Sequence, residues 1–218
     1  MEAAPRYPVA VFPLPNVVLF PRARLPLHVF ELRYRALVRE SLAGERLLAI
    51  ALLQPGWERE YRGSPAFFPL ACLGRIERVE WLPNDCFDLD VVGLQRVQLG
   101  RIAREFPYRT AHAESAPEHP YPEDDPLVQV ERKALREAFT RLCATAEPAV
   151  PERLLPPADT EFVTLVNCIA TVVDMEPEEK LGLLGLDSVL ERGRALREWL
   201  ERRLRGGDPR KSTGGELN

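Results

Sequence analysis

The sequence predicts an α+β fold in which a β-rich half precedes a helical half. Before residue 114, short apolar runs are bounded by proline or glycine, and one run alternates apolar with acidic residues, as a half-exposed strand does. After residue 126, apolar residues recur every three or four positions, which is the period of a helix packed on one face. Strands followed by helices indicate an α+β arrangement or two subdomains.

A change of composition separates the two halves. Residues 114–126 are rich in proline and acidic residues and contain little that is apolar, which is typical of a linker or an exposed crossing segment. We therefore expect a β-rich subdomain at 1–116, a linker at 117–126, a helical subdomain at 127–205 and a disordered tail at 206–218.

The opening segment, residues 12–38, combines many prolines with large apolar residues. Its runs VVLFP and LPLHVF are bounded by proline and are predicted to be short strands, or strands with a bend. The sequence ELRYRALVRESLAGE that follows them predicts a helix, which Gly44 can end in the left-handed conformation. We interpret the segment as architecture, with Arg22, Arg24 and Glu31 exposed and available for other roles.

A β-hairpin is predicted from residues 73–82 and 86–92. The turn sequence LPND lies between these two segments. In the second segment the apolar and acidic residues alternate, so that Asp88 and Asp90 are expected on a solvated face. Further strands are expected in LLAIALLQ, in LQRVQLGRIARE and in PYRTAHAE.

The predicted helices of the second half begin at recognisable start signals. Asp159 is placed to cap the most hydrophobic helix, and Pro177 can occupy the first turn of the next. Ser188 and Glu191 match a capping box that opens the last helix. This last helix is rich in arginine, which we interpret as the charged outer face of a bundle rather than a docking surface.

Composition and spacing exclude several classes of function. The net charge of −4 argues against a general nucleic-acid or anionic-membrane binder. No apolar run of about 18 residues predicts a membrane span, and no secretion signal is recognisable. The four cysteines are scattered, which fits a reduced, cytoplasmic chain. Because no metal spacing, phosphate loop or nucleophile–base pair is visible, we expect neither a cofactor nor enzyme activity.

The order of the motifs resembles that of the Lon protease N-terminal, or substrate-binding, domain. The opening segment supplies FPLP, VVLFP and LPLHVFELRY in that order, and the hairpin is followed by GLQR at residues 93–96. The late helical sequence MEPEEKLGLLGLDSVLERGRALREWL is also similar to that family. The resemblance covers about residues 8–204, and the combination of motifs is more specific than any one of them.

The resemblance implies an N-terminal PUA-like β pseudo-barrel with one helix, followed by a C-terminal α-helical bundle. The family includes the Lon-like domain of the ubiquitin-ligase substrate receptor cereblon and bacterial stand-alone proteins, which this chain looks like. The ATPase phosphate loop and the serine–lysine protease domain of full-length Lon are not expected here.

The candidate binding surface is the loop sequence LLQPGWEREYRGSPAFFPL between two predicted strands. Loops carry binding residues more often than scaffold strands do, and aromatic side chains beside arginines are typical of interfaces. The alternative is that Trp57 folds back to cap the barrel. The candidate protein-binding residues are Trp57, Tyr61, Phe67, Phe68, Arg24 and Glu31.

We therefore expect a non-catalytic module that binds unfolded polypeptide or a folded protein partner, in substrate recognition or as an adaptor in proteolysis and quality control. No membrane partner is expected, and weak self-association is left open. The alternative is RNA binding, because PUA-like barrels also serve RNA enzymes. The acidic charge balance counts against RNA, and a steep loss of binding with salt would be its signature.

Overall fold

The computed structural model describes residues 8–60, 63–145 and 156–206 and confirms the α+β class. The strands within this part of the chain are β1 (Val9–Leu14), β2 (Arg24–Val29), β3 (Leu47–Leu53), β4 (Phe67–Trp81), β5 (Phe87–Arg104) and β6 (Thr110–Ser115). Its helices are α1 (Leu32–Ala43), α2 (Pro126–Thr145), α3 (Phe162–Val172), α4 (Pro177–Gly185) and α5 (Val189–Leu204). None of these helices is both long and apolar enough to cross a membrane. The predicted disordered tail, apart from Gly206, lies outside the described residues.

The six strands form one mixed sheet that closes on itself. Its order is β2-β5-β4-β3-β1-β6, and an additional pairing of β5 with β6 completes a ring of five strands. Strands β1 and β3 are parallel, and the other neighbours are antiparallel. Strand β5 pairs with three neighbours. On one edge its first third pairs with β2 and its last half with β6, and on the opposite edge it pairs with β4. Strand β2 therefore lies outside the ring.

Small apolar side chains fill the interior of the ring. Two residues from each of its five strands form one buried cluster: Val9, Val11, Ala49, Ala51, Ala71, Leu73, Val97, Leu99, Ala111 and Ala113. Residues i and i+2 of a strand point to the same face, so each strand contributes an alternating pair. Half of the cluster is alanine because a barrel of so few strands leaves little room between them.

The outer face of the ring packs against the helices. Phe12 of β1 stacks on Tyr34 of α1 with 4.3 Å between the ring centroids. Leu48 and Ile50 of β3 belong to the same buried cluster as residues of α2, α3 and α5. One continuous core therefore contains residues from both halves of the chain, and the division into two subdomains stays a prediction.

The predicted strand VVLFP is absent, and the reason lies in GLQR. Residues 15–23 form no ladder with another strand, yet Phe20 is fully buried. The amide of Arg22 donates to the carbonyl of Gly93, and the amide of Gly93 donates to the carbonyl of Ala23. A β-carbon at Gly93 would overlap the carbonyl oxygen of Phe20. Position 93 therefore needs glycine because another backbone segment crosses β5 there.

The predicted hairpin is confirmed, with β4 and β5 paired up to Trp81 and Phe87. The two strands predicted from residue 86 onwards are a single strand, β5. Gly44 ends α1, but its φ of −113° is not left-handed, so that part of the prediction is wrong. The left-handed residue is Arg46, with a φ of 62°, and its carbonyl accepts a hydrogen bond from the amide of Ile76 in β4.

The start of α3 is capped from a distant part of the sequence. Its N-cap residue is Glu161, so the prediction that Asp159 caps this helix is wrong. The carboxylate of Glu123 accepts from the amide of Phe162 at 2.9 Å, and the hydroxyl of Tyr121 accepts from the next amide at 2.9 Å. Residues of the predicted linker thus supply the acceptors that the first turn of a helix lacks.

The predicted cap of α5 is present. The hydroxyl of Ser188 accepts a hydrogen bond from the amide of Glu191 at 3.3 Å, which is the interaction that a serine cap supplies.

A fully buried arginine of β5 joins the ring to the helices. Arg96, the last residue of GLQR, donates to the carbonyl of Leu184 at 2.9 Å and to that of Pro117 at 2.7 Å. It also donates to the carboxylate of Asp187 at 2.8 Å. The side chain therefore connects β5 both to the segment at 117–126 and to the end of α4.

A second fully buried arginine completes this contact from the helical side. Arg192 of α5 donates to the carboxylate of Glu118 at 2.6 Å and to the side-chain oxygen of Asn167 in α3 at 2.9 Å. It also donates to the carbonyls of Leu183 and Leu186. The interpretation of the α5 arginines as an outer face is wrong for Arg192, which is 0% exposed.

Replacing Gly93 with alanine should lower the free energy of unfolding by at least about 2 kcal/mol, because the new methyl group meets backbone that cannot move away. Urea unfolding of Gly93→Ala measures the loss. Gly100→Ala on the same strand is the matched control, since a β-carbon there would lie 3.7 Å from its nearest neighbour. Equal stability of the two variants would contradict the close approach at Gly93.

Arg192→Met should cost about 3–5 kcal/mol, because it leaves the Glu118 carboxylate and buried carbonyls without their donor. Arg194→Met, on the exposed side of the same helix, should change stability by no more than about 0.5 kcal/mol. Chemical denaturation of both variants checks the contrast. A small effect at Arg192 would mean that water or a neighbouring donor replaces the guanidinium.

Candidate functional site

Several loops meet at the end of the ring where the parallel strands β1 and β3 finish. The connection from β3 to β4 begins there, and its described parts are residues 54–60 and 63–66. The connection from β5 to β6, residues 105–109, reaches the same end because the amide of Val11 bonds to the carbonyl of Arg109. The first turn of α1 lies beside both connections, which makes this end of the ring the candidate site.

A cavity of about 210 Å³ lies between these elements. We call it the arginine cavity, because two arginines line it. Arg33 and Tyr34 come from α1, Gly63 and Ser64 from the loop, Val11 and Pro13 from β1, and the remaining wall is residues 105–109.

The two arginines of this cavity differ in their partners. The guanidinium of Arg33 forms an ion pair with Glu31 at 3.0 Å and donates to the carbonyl of Gly63 at 3.2 Å. The half-buried guanidinium of Arg109 lies over the ring of Phe67, 4.5 Å from its centroid. Among the described residues, no carboxylate forms an ion pair with Arg109. Burial lowers the pKa of the Arg109 guanidinium, because removal from water disfavours the charged form.

An exposed phenyl ring stands at the rim of the arginine cavity. Phe106 lines the cavity and is 78% exposed. A cis peptide bond joins it to Pro107. Aromatic side chains are enriched in protein interfaces, so an exposed phenyl ring that borders a cavity is an interface candidate.

A second cavity, of about 310 Å³, lies on the other side of Tyr108. We call it the glutamate cavity, because Glu40 and Glu45 line it together with the start of β1. Tyr108 is buried and lines both cavities. Its ring lies under the guanidinium of Arg104 at 4.4 Å, and Arg104 forms an ion pair with Glu40 at 3.0 Å.

The hydroxyl of Tyr108 and the carboxylate of Glu40 change each other's pKa through the hydrogen bond between them. Burial and the hydrogen bond to Glu40 raise the pKa of Tyr108 to about 12. The hydrogen bonds from Tyr108 and Arg104 lower the pKa of Glu40. A neutral tyrosine and a charged glutamate therefore persist side by side over the physiological pH range.

The size of the cavities limits what they can hold. Pockets for cofactors and other small molecules are usually about 300–1,000 Å³, so the arginine cavity is too small and the glutamate cavity is at the lower limit. Each suits one side chain of a polypeptide that lies across the surface. No group of three or more His, Cys, Asp or Glu side chains placed to hold a metal ion occurs in the part of the chain that the structure describes.

The structure brings some of the predicted binding residues to this end of the ring. Phe67 lies under Arg109, and Glu31 reaches the arginine cavity through Arg33. Trp57 is half-buried in a short 3-10 turn of the loop, and Phe68 packs against the main core. Tyr61 lies outside the described residues.

Arg24 lies elsewhere, on β2. This strand lies outside the ring. The guanidinium of Arg24 pairs with Asp90 of β5 at 3.1 Å and with Glu77 of β4 at 3.2 Å. None of these contacts tests binding, so the assignment of the six residues stays a prediction.

Four residues of the site were missed by sequence reasoning: Arg33, Phe106, Tyr108 and Arg109. Arg33 lies in the predicted helix, and nothing in that helical sequence distinguished it. For the other three residues the available signal was EFPYR, where one predicted strand ends and the next begins, with two aromatic residues and an arginine around a proline. It has the aromatic and arginine composition that singled out the longer loop.

Comparison with known proteins gives a consistent set of relatives. A family model described as the ATP-dependent protease La (LON) substrate-binding domain matches residues 8–202. Lon protease of Anaeromyxobacter dehalogenans and Lon protease 2 of Myxococcus xanthus are each 28% identical to this chain over 200 residues. Each alignment covers 88% of this chain and 23% of the relative. The chain therefore spans less than a quarter of the length of these relatives.

Solved structures show the same fold. The N-terminal domain of Mycobacterium avium complex Lon protease superposes with a TM-score of 0.64 at 20% identity, over 89% of this chain and 98% of that domain. The Lon N-terminal domain protein from Xanthomonas campestris superposes with a TM-score of 0.62 at 21% identity, over 88% of this chain and 98% of the other.

The contribution of Tyr108 to the free energy of unfolding should decrease at alkaline pH. An unfolded tyrosine ionises near pH 10, whereas Tyr108 in the folded protein has a pKa of about 12. Its contribution is complete below about pH 10 and is lost as the pH rises towards 12, because the unfolded state ionises first. Urea unfolding of the native protein and of Tyr108→Phe should differ by a constant amount from about pH 8 to 9.5, and the advantage of the native protein should then shrink. A difference that stays constant up to about pH 11 would contradict the raised pKa.

Proposed function

The chain belongs to the family of the ATP-dependent protease La (LON) substrate-binding domain, and on this premise we propose that it is a non-catalytic module that binds segments of other polypeptides. The family description is that of a substrate-recognition module. The family model matches residues 8–202, which takes in all of the strands and nearly all of α5. The proposal therefore concerns the ring, its loops and the helices together.

The observation that carries the proposal is a cavity of side-chain size with an exposed phenyl ring at its rim. Complete burial of a phenylalanine side chain is worth about 1.5–3 kcal/mol, so Phe106 can contribute strongly to an interface. The adjacent arginine cavity of about 210 Å³ can take a neighbouring side chain of the same ligand. Binding of this kind needs no cofactor, since apolar burial and polar contacts supply the free energy.

The six predicted binding residues fit the proposal in two groups. Trp57, Phe67 and Phe68 belong to the loop or to the strand that follows it, and Glu31 orients Arg33 at the cavity. Tyr61 is assigned to the same loop from its place in the sequence. Arg24 on β2 would belong to a separate contact area.

The finer features that the family resemblance implies are also part of the proposal. The closed ring of five strands is our candidate for the PUA-like pseudo-barrel, and helices α2 to α5 are our candidate for the C-terminal bundle. The strand pairings and the shared hydrophobic core support both assignments. The relatives are named as Lon proteases, which supports a role in substrate recognition or as an adaptor for proteolysis. The four free cysteines support a reducing, cytoplasmic location.

Fluorescence anisotropy with labelled, unfolded casein tests the proposed function. We expect the protein to bind unfolded casein at low and at moderate salt and to leave a folded globular protein unbound. A short RNA, measured in parallel, should not compete. Binding of the RNA with a steep loss of affinity on adding salt, in place of casein binding, would overturn the proposal in favour of a nucleic-acid module.

The site itself is tested by Phe106→Ser, which should weaken casein binding about tenfold, because truncation of a central aromatic contact typically costs that much or more. Leu127→Ser is the matched control. Leu127 is 57% exposed on α2, so its loss removes an exposed apolar side chain without touching the site. An equal effect of both variants, or none from Phe106→Ser, would place the binding surface elsewhere.

A further inference from the structure

The arginine cavity contains an unbalanced cation. Arg33 has Glu31 as its ion-pair partner, but no carboxylate in the described parts of the chain forms an ion pair with Arg109. After burial, which lowers the pKa of Arg109, the charges of Glu105 and Arg33 also act on that pKa, but neither side chain forms a hydrogen bond with the guanidinium. A guanidinium that has lost part of its hydration and faces open space is a strong donor for an incoming oxygen anion.

The charges around the cavity select a single negative charge. Arg33 is paired with Glu31, and Glu105 also lines the cavity, so among the described residues Arg109 supplies at most one positive charge without an ion-pair partner. A carboxylate matches that charge. A phosphate monoester, with a charge of about −1.5 to −2, would leave negative charge uncompensated beside Glu105.

The glutamate cavity limits the occupant further. Beyond Tyr108 the cavity is lined by Glu40, which is paired with Arg104, and by Glu45, and no cation is among its described lining residues. A polyanion laid across both cavities would place negative groups there without a cationic partner. A single acidic residue flanked by uncharged or basic residues would not.

We propose that the arginine cavity is a subsite for one aspartate or glutamate side chain of a bound polypeptide, which the Arg109 guanidinium holds. The inference rests on the proposed function and names the chemistry of the ligand. The ring of Phe67 packs against the Arg109 guanidinium. Phe106 at the rim would contact the ligand residue next to the acidic one. The preferred ligand is therefore an acidic residue beside an apolar one in an extended segment.

Three labelled peptides with the common frame GSLFXLSG, in which X is Glu, Gln or Lys, test the inference. Each peptide is titrated against the native protein and used to compete with bound unfolded casein. The Glu peptide should bind about tenfold more tightly than the Gln peptide, since a hydrogen bond to a charged group is worth roughly that factor. The Lys peptide should bind most weakly.

The protein side of the test uses Arg109→Gln, in which the preference for Glu over Gln should disappear. Arg109→Lys keeps the charge and loses the planar fork, and should keep part of the preference. Arg194→Gln, a change of exposed charge on α5, should leave the preference unchanged. If Arg109→Gln does not fold, the Lys variant and the peptide comparison on the native protein still decide the result.

The outcomes separate the two proposals. Casein binding without a preference for the Glu peptide, including no binding of any peptide, overturns the inference and leaves the proposed function standing. A fourth peptide with phosphoserine at X that binds more tightly than the Glu peptide also overturns it, because the site would then select a dianion. Failure to bind casein and all peptides overturns both proposals.

Discussion

Two guanidinium groups that are removed from water set the arrangement of the whole molecule. Arginine does not lose its proton in a protein, so Arg96 and Arg192, each almost or wholly inaccessible to solvent, must be surrounded by acceptors. Those acceptors come from the crossing segment at 117–118, from α3 and from the stretch between α4 and α5. Because a buried charge without partners is very costly, these segments can occupy only positions that bring acceptors to both guanidinium groups. The ring and the helices therefore behave as parts of one structure.

The narrow ring imposes a second constraint, on where a ligand can bind. Ten buried apolar side chains, half of them alanine, occupy its interior and leave little room for a ligand between the strands. Its outer face is largely occupied by α1 and by the C-terminal helices. The connections at the end of the ring are less covered, and there the 105–109 segment leaves a phenyl ring exposed and a guanidinium half-buried. Rigid strands position this irregular segment, which is how binding loops are commonly presented.

Much of the fold could be predicted from local patterns. Local patterns predicted the hairpin around residues 83–85, the cap at Ser188 and the helices after residue 126. These patterns are the alternation of apolar and polar residues, the residue types of a turn and the helical period, and they depend on near neighbours in the sequence. The cap of α3 did not follow, because Glu123 and Tyr121 reach it from about forty residues away. The candidate site was predicted only in part for the same reason. The long loop was identified by its aromatic residues, but Arg33 and Arg109 are brought together by the position of α1 beside the β5–β6 connection.

The sequence by itself determined the class of fold, the order of the elements and the family, since periodicity, turn residues and motif order are properties of the chain. It also marked Gly93 and Arg96 as part of a motif, without showing what either residue does. Only the tertiary structure decided that a second backbone segment crosses at Gly93, that Arg192 is an interior residue and that Arg109 faces a cavity. The physical reason is that the environment of a charge, and therefore its pairing, depends on residues that are distant in the chain and become neighbours only after folding.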